Sequence, residues 1–202
     1  MSLAAGCDNT LEMIDSNSVG NPDQFRTLAQ LEAGLAALPE APRDRGRVVL
    51  LLRKIDGGVR ETPDRIHASV EGGFPGDAWG RRADRKPEAQ LAVMQRDVAE
   101  LIANGQPLAL FGDNLTLDLD LSAANLPIGS RVRAGGAVLE VTPMPHNGCG
   151  KFQKRFGEDA RAFVSKPELR HRNLRGIYLR VVEEGEVRSN DPVEVISRAP
   201  AV

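Results

Sequence analysis

The stretch FGDNLTLDLDLSAANLPIGSRVRAGGAVLEVT, residues 111–142, alternates apolar and polar side chains twice over. Leu115, Leu117, Leu119 and Leu121 fall on one face of an extended chain and Thr116, Asp118 and Asp120 on the other, the period of two that marks a half-buried strand. Two aspartates on one exposed strand face are far more often solvated charge than a metal site, so no metal is assigned to them. RVRAGGAVLEVT, residues 131–142, then splits into two short alternating runs across Gly135 and Gly136, the composition of a tight hairpin.

Working outward, residues 87–104 repeat Leu91, Met94, Val98, Leu101 and Ile102 on one helical face, with Pro87 near the start and Gly105 past the end, which predicts a helix. Before it, residues 70–88 hold four glycines and few periodic apolar residues, a long loop with the composition of a site wall. RVVLLLRK, residues 47–54, is a near-continuous apolar run suited to a buried strand. Asn21, Pro22 and the Phe25–Leu28–Leu31–Leu35–Leu38 spacing predict an amphipathic helix that ends at Pro39. On the C-terminal side, Phe152, Phe156, Ala160 and Phe163 predict a helix over residues 151–164, with Lys154, Arg155 and Arg161 off its apolar face. Residues 175–196 read as three strands with turns at Glu184–Gly185 and Asn190–Asp191. The sum is mainly β with helices, a β-barrel with helical decoration: residues 1–46 form an N-terminal helical extension and linker, and residues 47–202 the barrel domain.

The chain has 202 residues, 41% hydrophobic and 27% charged, enough to bury a core. A formal charge of −2 leaves no basic footprint for duplex nucleic acid. No run approaches the roughly 20 apolar residues that cross a bilayer. The opening MSLAAGC resembles a lipoprotein cleavage site ending in Cys7, but it has neither a charged segment nor an apolar core before the cysteine, so lipidation is not expected. Two distant cysteines supply neither a disulfide framework nor an iron–sulfur cluster, and a reducing, cytoplasmic setting is the expectation.

Cys149, in TPMPHNGCGKF at residues 142–152, stands where a strand gives way to a helix. Helix amides with Lys151, Lys154 and Arg155 nearby would favour a thiolate, which is a nucleophile, a sulfur carrier and a soft metal ligand; a small buried apolar cysteine is the equal alternative. His67, His146 and His171 are too scattered for a zinc cage. His146 is three residues from Cys149, within reach as a base or hydrogen-bond partner, although a solvated loop histidine is the commoner case. Arg170, Arg172 and Arg175 read either as an anion site or as a solvated basic loop. No glycine-rich nucleotide fingerprint is present.

In order and spacing, GGFPGDAW, the 111–142 stretch, GCGKF and LRGIYLRVVEEGEVRSNDPVEV resemble the MOSC domain, named for the C-terminal domain of molybdenum cofactor sulfurase, over about residues 47–197. The resemblance implies a β-barrel of the pyruvate kinase barrel type and a cleft that handles the molybdenum–molybdopterin cofactor or its terminal sulfur. Cys149 matches the family cysteine, as molybdenum ligand or persulfide carrier. Arg170, Arg172 and Arg175 become candidates for the cofactor phosphate, and Asn114, Asp77 and His146 for the cleft wall; an association with pyridoxal phosphate also belongs to the family. Three positions depart from its pattern: Gly148 where proline is usual, Asp113 where glutamate is usual, and Asn190–Asp191–Pro192–Val193 in place of G-D-x-V. Three functions follow from the resemblance. One is reduction of N-hydroxylated compounds with a separate electron-donor protein, the second is delivery of cofactor or sulfur to an acceptor enzyme, and the third is an inert barrel that binds a protein partner.

Overall fold

A computed structural model describes residues 13–15 and 17–200; the MSLAAGC stretch with Cys7 lies outside the described residues. The strands are β1 (Met13–Asp15), β2 (Arg45–Leu51), β3 (Arg53–Ile55), β4 (Val59–Glu61), β5 (Arg65–Ala68), β6 (Leu91–Gln95), β7 (Leu115–Asp118), β8 (Arg131–Ala134), β9 (Ala137–Val141), β10 (Ile177–Glu183), β11 (Gly185–Arg188) and β12 (Pro192–Ser197). The α-helices are α1 (Leu28–Ala37), α2 (Arg96–Ala103), α3 (Gly150–Phe156) and α4 (Glu158–Val164). Seven strands close a barrel in the order β10-β6-β7-β2-β12-β8-β9. β6 and β7 run parallel, joined by the α2 crossover, and every other neighbouring pair is antiparallel. Closure leaves no barrel edge free to pair with another chain. Two small sheets, β1-β4-β3 and β11-β5, flank it. No helix among the described residues is long and apolar enough to cross a membrane.

The alternation that opened the sequence reading holds the barrel together. Leu115, Leu117, Leu119 and Leu121 are fully buried in the barrel interior with Val132, Leu139, Val181 and Val193. The sequence suggested that the opposite face of β7 is solvated; it is not, because α2 lies over it. Thr116 is buried, and Asp118 accepts from Arg96 at 3.0 Å with its carboxylate largely covered. Asp120 accepts the N–H of Ser122 in the following turn. The hairpin β8–β9 turns at Gly135–Gly136 as expected.

All three helix expectations are corrected. Residues 87–104 begin with a 3-10 turn and the strand β6, and only Arg96–Ala103 are helical. The reason is double burial: Leu91 and Val93 point into the barrel while Met94 points into a second apolar cluster outside it, so β6 shows no polar alternation and its spacing mimics a helix. Residues 151–164 form two helices broken at Gly157, whose φ of 94° is open to glycine and strained for other residues. Phe152, Phe156, Ala160 and Phe163 are buried as read, but so is Arg155.

At the N-terminus, Asn21 caps a 3-10 turn and the chain restarts as α1 behind a Thr27–Gln30 capping box. α1 packs on α2 and α4, with Leu31 fully buried in the outer cluster and Leu28, Leu35 and Leu38 partly so. β2 begins at Arg45, inside the stretch read as linker.

Candidate functional site

Where β6 and β10 pair, Ala92 stands opposite Tyr178. Their neighbours Leu91, Val93, Ile177 and Leu179 fill the barrel, so Ala92 and Tyr178 face outward. Over this outer patch lies a cavity of about 340 Å³, walled by β3 and β4, the 69–86 loop, the turn before β7, and α3 with the segment leading into it.

Cys149 is the N-cap residue of α3 and is exposed at this cavity. Partial burial alone would raise its thiol pKa. The backbone N–H groups of Phe152 and Lys151 at the start of α3, then the charges of Arg175 and Arg155, outweigh burial and lower it below the usual cysteine range. Gly148 is packed against α4: a Cβ there would meet Val164 Cγ2 at 3.2 Å, so the ring of the proline usual in the resembling family would be crowded.

Behind the thiol, Asp113 is 3% exposed and shared between two partners, Arg175 Nη1 at 2.7 Å and His146 Nε2 at 3.4 Å. His146 is therefore no solvated loop histidine. Its side chain is 7% exposed and its ring lies against Tyr178, centroids 4.5 Å apart. Burial first and the Arg175 charge second, against the opposing pull of Asp113, push its pKa down to about 3. A neutral imidazole carries one N–H; with Nε2 toward the carboxylate, Nδ1 is the lone-pair nitrogen. Both Nδ1 of His146 and Nε of Arg175 are buried without a hydrogen-bond partner.

Six cationic side chains line the cavity: Lys54, Arg60, Arg82, Lys151, Arg155 and Arg175. The two lining carboxylates, Asp77 and Asp113, are already engaged. Asp77 is buried and accepts the backbone N–H of Lys54 at 2.7 Å and of Trp79 at 2.9 Å, which pins the 69–86 loop to β3. The crowding of positive charge is visible in Arg60, which burial first and the Arg155 charge second lower to about 10. A cationic wall with a thiolate at its edge can hold an anion and offer it a soft ligand.

Cys149, His146, Arg175, Asn114 and Asp77 thus line one cavity. Asn114 serves the fold there. Its Oδ1 accepts the Ala92 N–H at 3.1 Å and its Nδ2 donates to the Leu52 carbonyl at 3.2 Å, so both ends of the amide are spent between β6 and the end of β2. Arg170 and Arg172 do not reach the cavity. They sit exposed on the 3-10 turn Pro167–Arg172, where Arg172 borders a separate cavity against α1 and α2. Their nearness to Arg175 in sequence misleads because the chain turns at Asn173, with φ of 51°, and only Arg175 continues inward.

Sequence reasoning did not find Arg60, Lys54 or Asp113 as site residues, nor Tyr178 and Phe111 on the apolar side of the cavity. Lone residues on three-residue strands carry no pattern; for Asp113 the G-D-N-L turn was the available signal. Among the described residues no group of three or more His, Cys, Asp or Glu side chains is arranged to hold a metal, so any metal here would depend on the single thiolate and on ligands of its own.

Comparison with known proteins follows the same geometry. The family model described as MOSC domain matches residues 73–194. Among solved structures, YiiM from Escherichia coli superposes with TM-score 0.53 at 24% identity, over 77% of this chain and 71% of that one. The YuaD protein from Bacillus subtilis superposes with TM-score 0.52 at 19% identity, over 77% and 98%. A crystal structure described as a hypothetical protein gives TM-score 0.59 at 21% identity, over 79% and 72%. These likenesses show the shared fold. No curated protein matched the chain. With its family model covering residues 73–194, more than half of the chain, and with the closed barrel and the cysteine-bearing cavity in place, the protein belongs to the MOSC domain family.

Proposed function

We propose that the cavity binds an anionic molybdenum–molybdopterin cofactor, with Cys149 as the thiolate ligand of the metal. The observation that carries this reading is the pairing of a thiolate-favouring Cys149 with a cationic wall whose two carboxylates are both engaged. The donor set fits such a group. A single soft sulfur suits molybdenum bound chiefly through sulfur ligands of its own, and Arg175, Arg155 and Lys54 suit phosphate oxygens. The unpartnered Nε of Arg175 adds a buried donor that a bound anion can satisfy by a small shift.

Bound there, the cofactor would supply two-electron redox chemistry. The chain itself would orient it, with Cys149 holding the metal, Asp113 fixing Arg175 and His146, and Trp79 with the 69–86 loop limiting access of water. Reduction of N-hydroxylated compounds would then need a separate electron donor. A second reading, in which Cys149 carries sulfur for delivery to an acceptor enzyme, is favoured by the exposure of the same thiol.

The test is purification from cells that make the cofactor. Molybdenum and a fluorescent oxidised pterin should co-purify with the protein, both lost in Cys149→Ala. Release of thiocyanate by cyanide, dependent on Cys149 and without molybdenum, would select the carrier reading. Absence of both signals would reject the two together.

A further inference from the structure

The family match begins at residue 73 and leaves the N-terminal residues without a role. In the structure, the described residues before α1 touch both cationic walls of the cavity. At one end β1 pairs antiparallel with β4, Ile14 opposite Arg60. The Asp15 carboxylate there opposes the burial and the Arg155 charge that lower Arg60. At the other end Gly20 donates its N–H to the Lys154 carbonyl at 3.1 Å. The approach is so close that a Cβ on Gly20 would lie 1.7 Å from the Arg155 carbonyl oxygen. Gln106 locks the join, its Oε1 accepting the Asn21 N–H at 2.8 Å and its Nε2 donating to the Arg155 carbonyl at 3.4 Å.

We propose that residues 14–15 and 17–25 form a strap that sets the distance between the two cationic walls of the cavity, with Gly20 and Gln106 as positioning residues for Arg155. α3 spans only seven residues, ends at the Gly157 break and is seated by apolar contacts of Phe152 and Phe156. Such contacts are non-directional and hold a short helix loosely in register. Arg155 meanwhile feels the like charges of Arg60 and Arg175, a repulsion that favours spreading of the walls and that Cys149 and Asp113 counter. A strap hydrogen-bonded to the backbone of Arg155 at one end and paired with the Arg60 strand at the other opposes that spreading. The inference goes beyond the cofactor reading and rests only on Cys149 being a reactive thiol beside Arg155.

The experiment measures alkylation of Cys149 by iodoacetate and by iodoacetamide, with the Cys149 and Cys7 peptides resolved by mass spectrometry. The thiolate attacks both reagents and displaces iodide from each, so their rate ratio reads the field of the cationic wall and not the thiolate fraction. Gly20→Ala and Gln106→Met should each lower the iodoacetate-to-iodoacetamide ratio about threefold, the scale of moving one partly screened charge by a few ångström. Leu31→Ala removes core packing on α1 without touching Arg155; it should lower Tm and leave the ratio unchanged. If Gly20→Ala does not fold, Gln106→Met decides. A ratio unchanged in Gln106→Met despite a lowered Tm, or lowered as much in Leu31→Ala, overturns the proposal. Neither result depends on whether molybdenum binds.

Discussion

Arg175 joins two roles that the sequence left apart. Its guanidinium pairs with buried Asp113 and its charge is one of the influences that favour the Cys149 thiolate. Replacing it with methionine keeps much of the volume and removes both. The pH at which Cys149 alkylation reaches half its maximal rate should therefore rise in Arg175→Met. Stability should fall by about 3–5 kcal/mol, because Asp113 is left as a buried carboxylate without its 2.7 Å guanidinium partner. Arg172→Met, on the exposed turn, should change neither quantity. A pH–rate profile of iodoacetamide labelling and a urea titration on the same variants check both expectations. If the labelling midpoint stays put in Arg175→Met, Arg175 does not tune the thiol.

At the scale of elements, Asn114 shows how a residue can line a cavity and still belong to the fold. Its amide bridges the first residues of β6 to the end of β2, two strands that each pair with β7 and not with each other. Asn114→Ala strands a buried N–H and a buried carbonyl, at about 1–3 kcal/mol each, which for a chain of this size lowers Tm by roughly 4–24 °C. The iodoacetate-to-iodoacetamide ratio at Cys149 should stay at its wild-type value, and a fall in it without a fall in Tm would make Asn114 a site residue after all. The same elements explain what the sequence could convey. β7, β8 and β9 were legible because one face of each meets the barrel interior and the pattern alternates. β6 was hidden because both of its faces are buried, and β1, β3 and β4 because three residues are too few to show a period. The turn bearing Cys149 was legible from its glycines and the helix behind it. The Asp113–Arg175 pair was not, since 62 residues separate its members and only pairing of the barrel strands brings them together.

Across the whole molecule, the cavity has a cost that appears at acid pH. His146 is held neutral in the folded state, its pKa lowered by burial and by Arg175 from 6.5 to about 3. In the unfolded chain the imidazole takes up its proton near 6.5. Between these values the unfolded state binds more protons than the native one, so stability is complete above pH 6.5 and is lost as pH falls toward about 3. One such site contributes a slope of about 1.4 kcal/mol per pH unit within that window. Carboxylates act lower. Glu140 resists its own burial through hydrogen bonds from Arg180 and Arg131, which hold its pKa below the usual 4.5 and tie β8, β9 and β10 together on the barrel's outside. Its contribution is present above pH 4.5 and is lost only below it. Of the two effects, the His146 one alone therefore acts between pH 6.5 and 4.5, and below 4.5 they overlap. In His146→Phe, which keeps a ring against Tyr178 and cannot take up a proton, the urea midpoint should change little between pH 6.5 and 5, where the wild-type midpoint declines. Below pH 4.5 both proteins also lose the carboxylate contribution, and their slopes become parallel only below about pH 3, where His146 is protonated in the folded state as well. Equal slopes in both proteins from pH 6.5 to 5 would mean that His146 titrates normally in the folded state and that the cavity does not bury it.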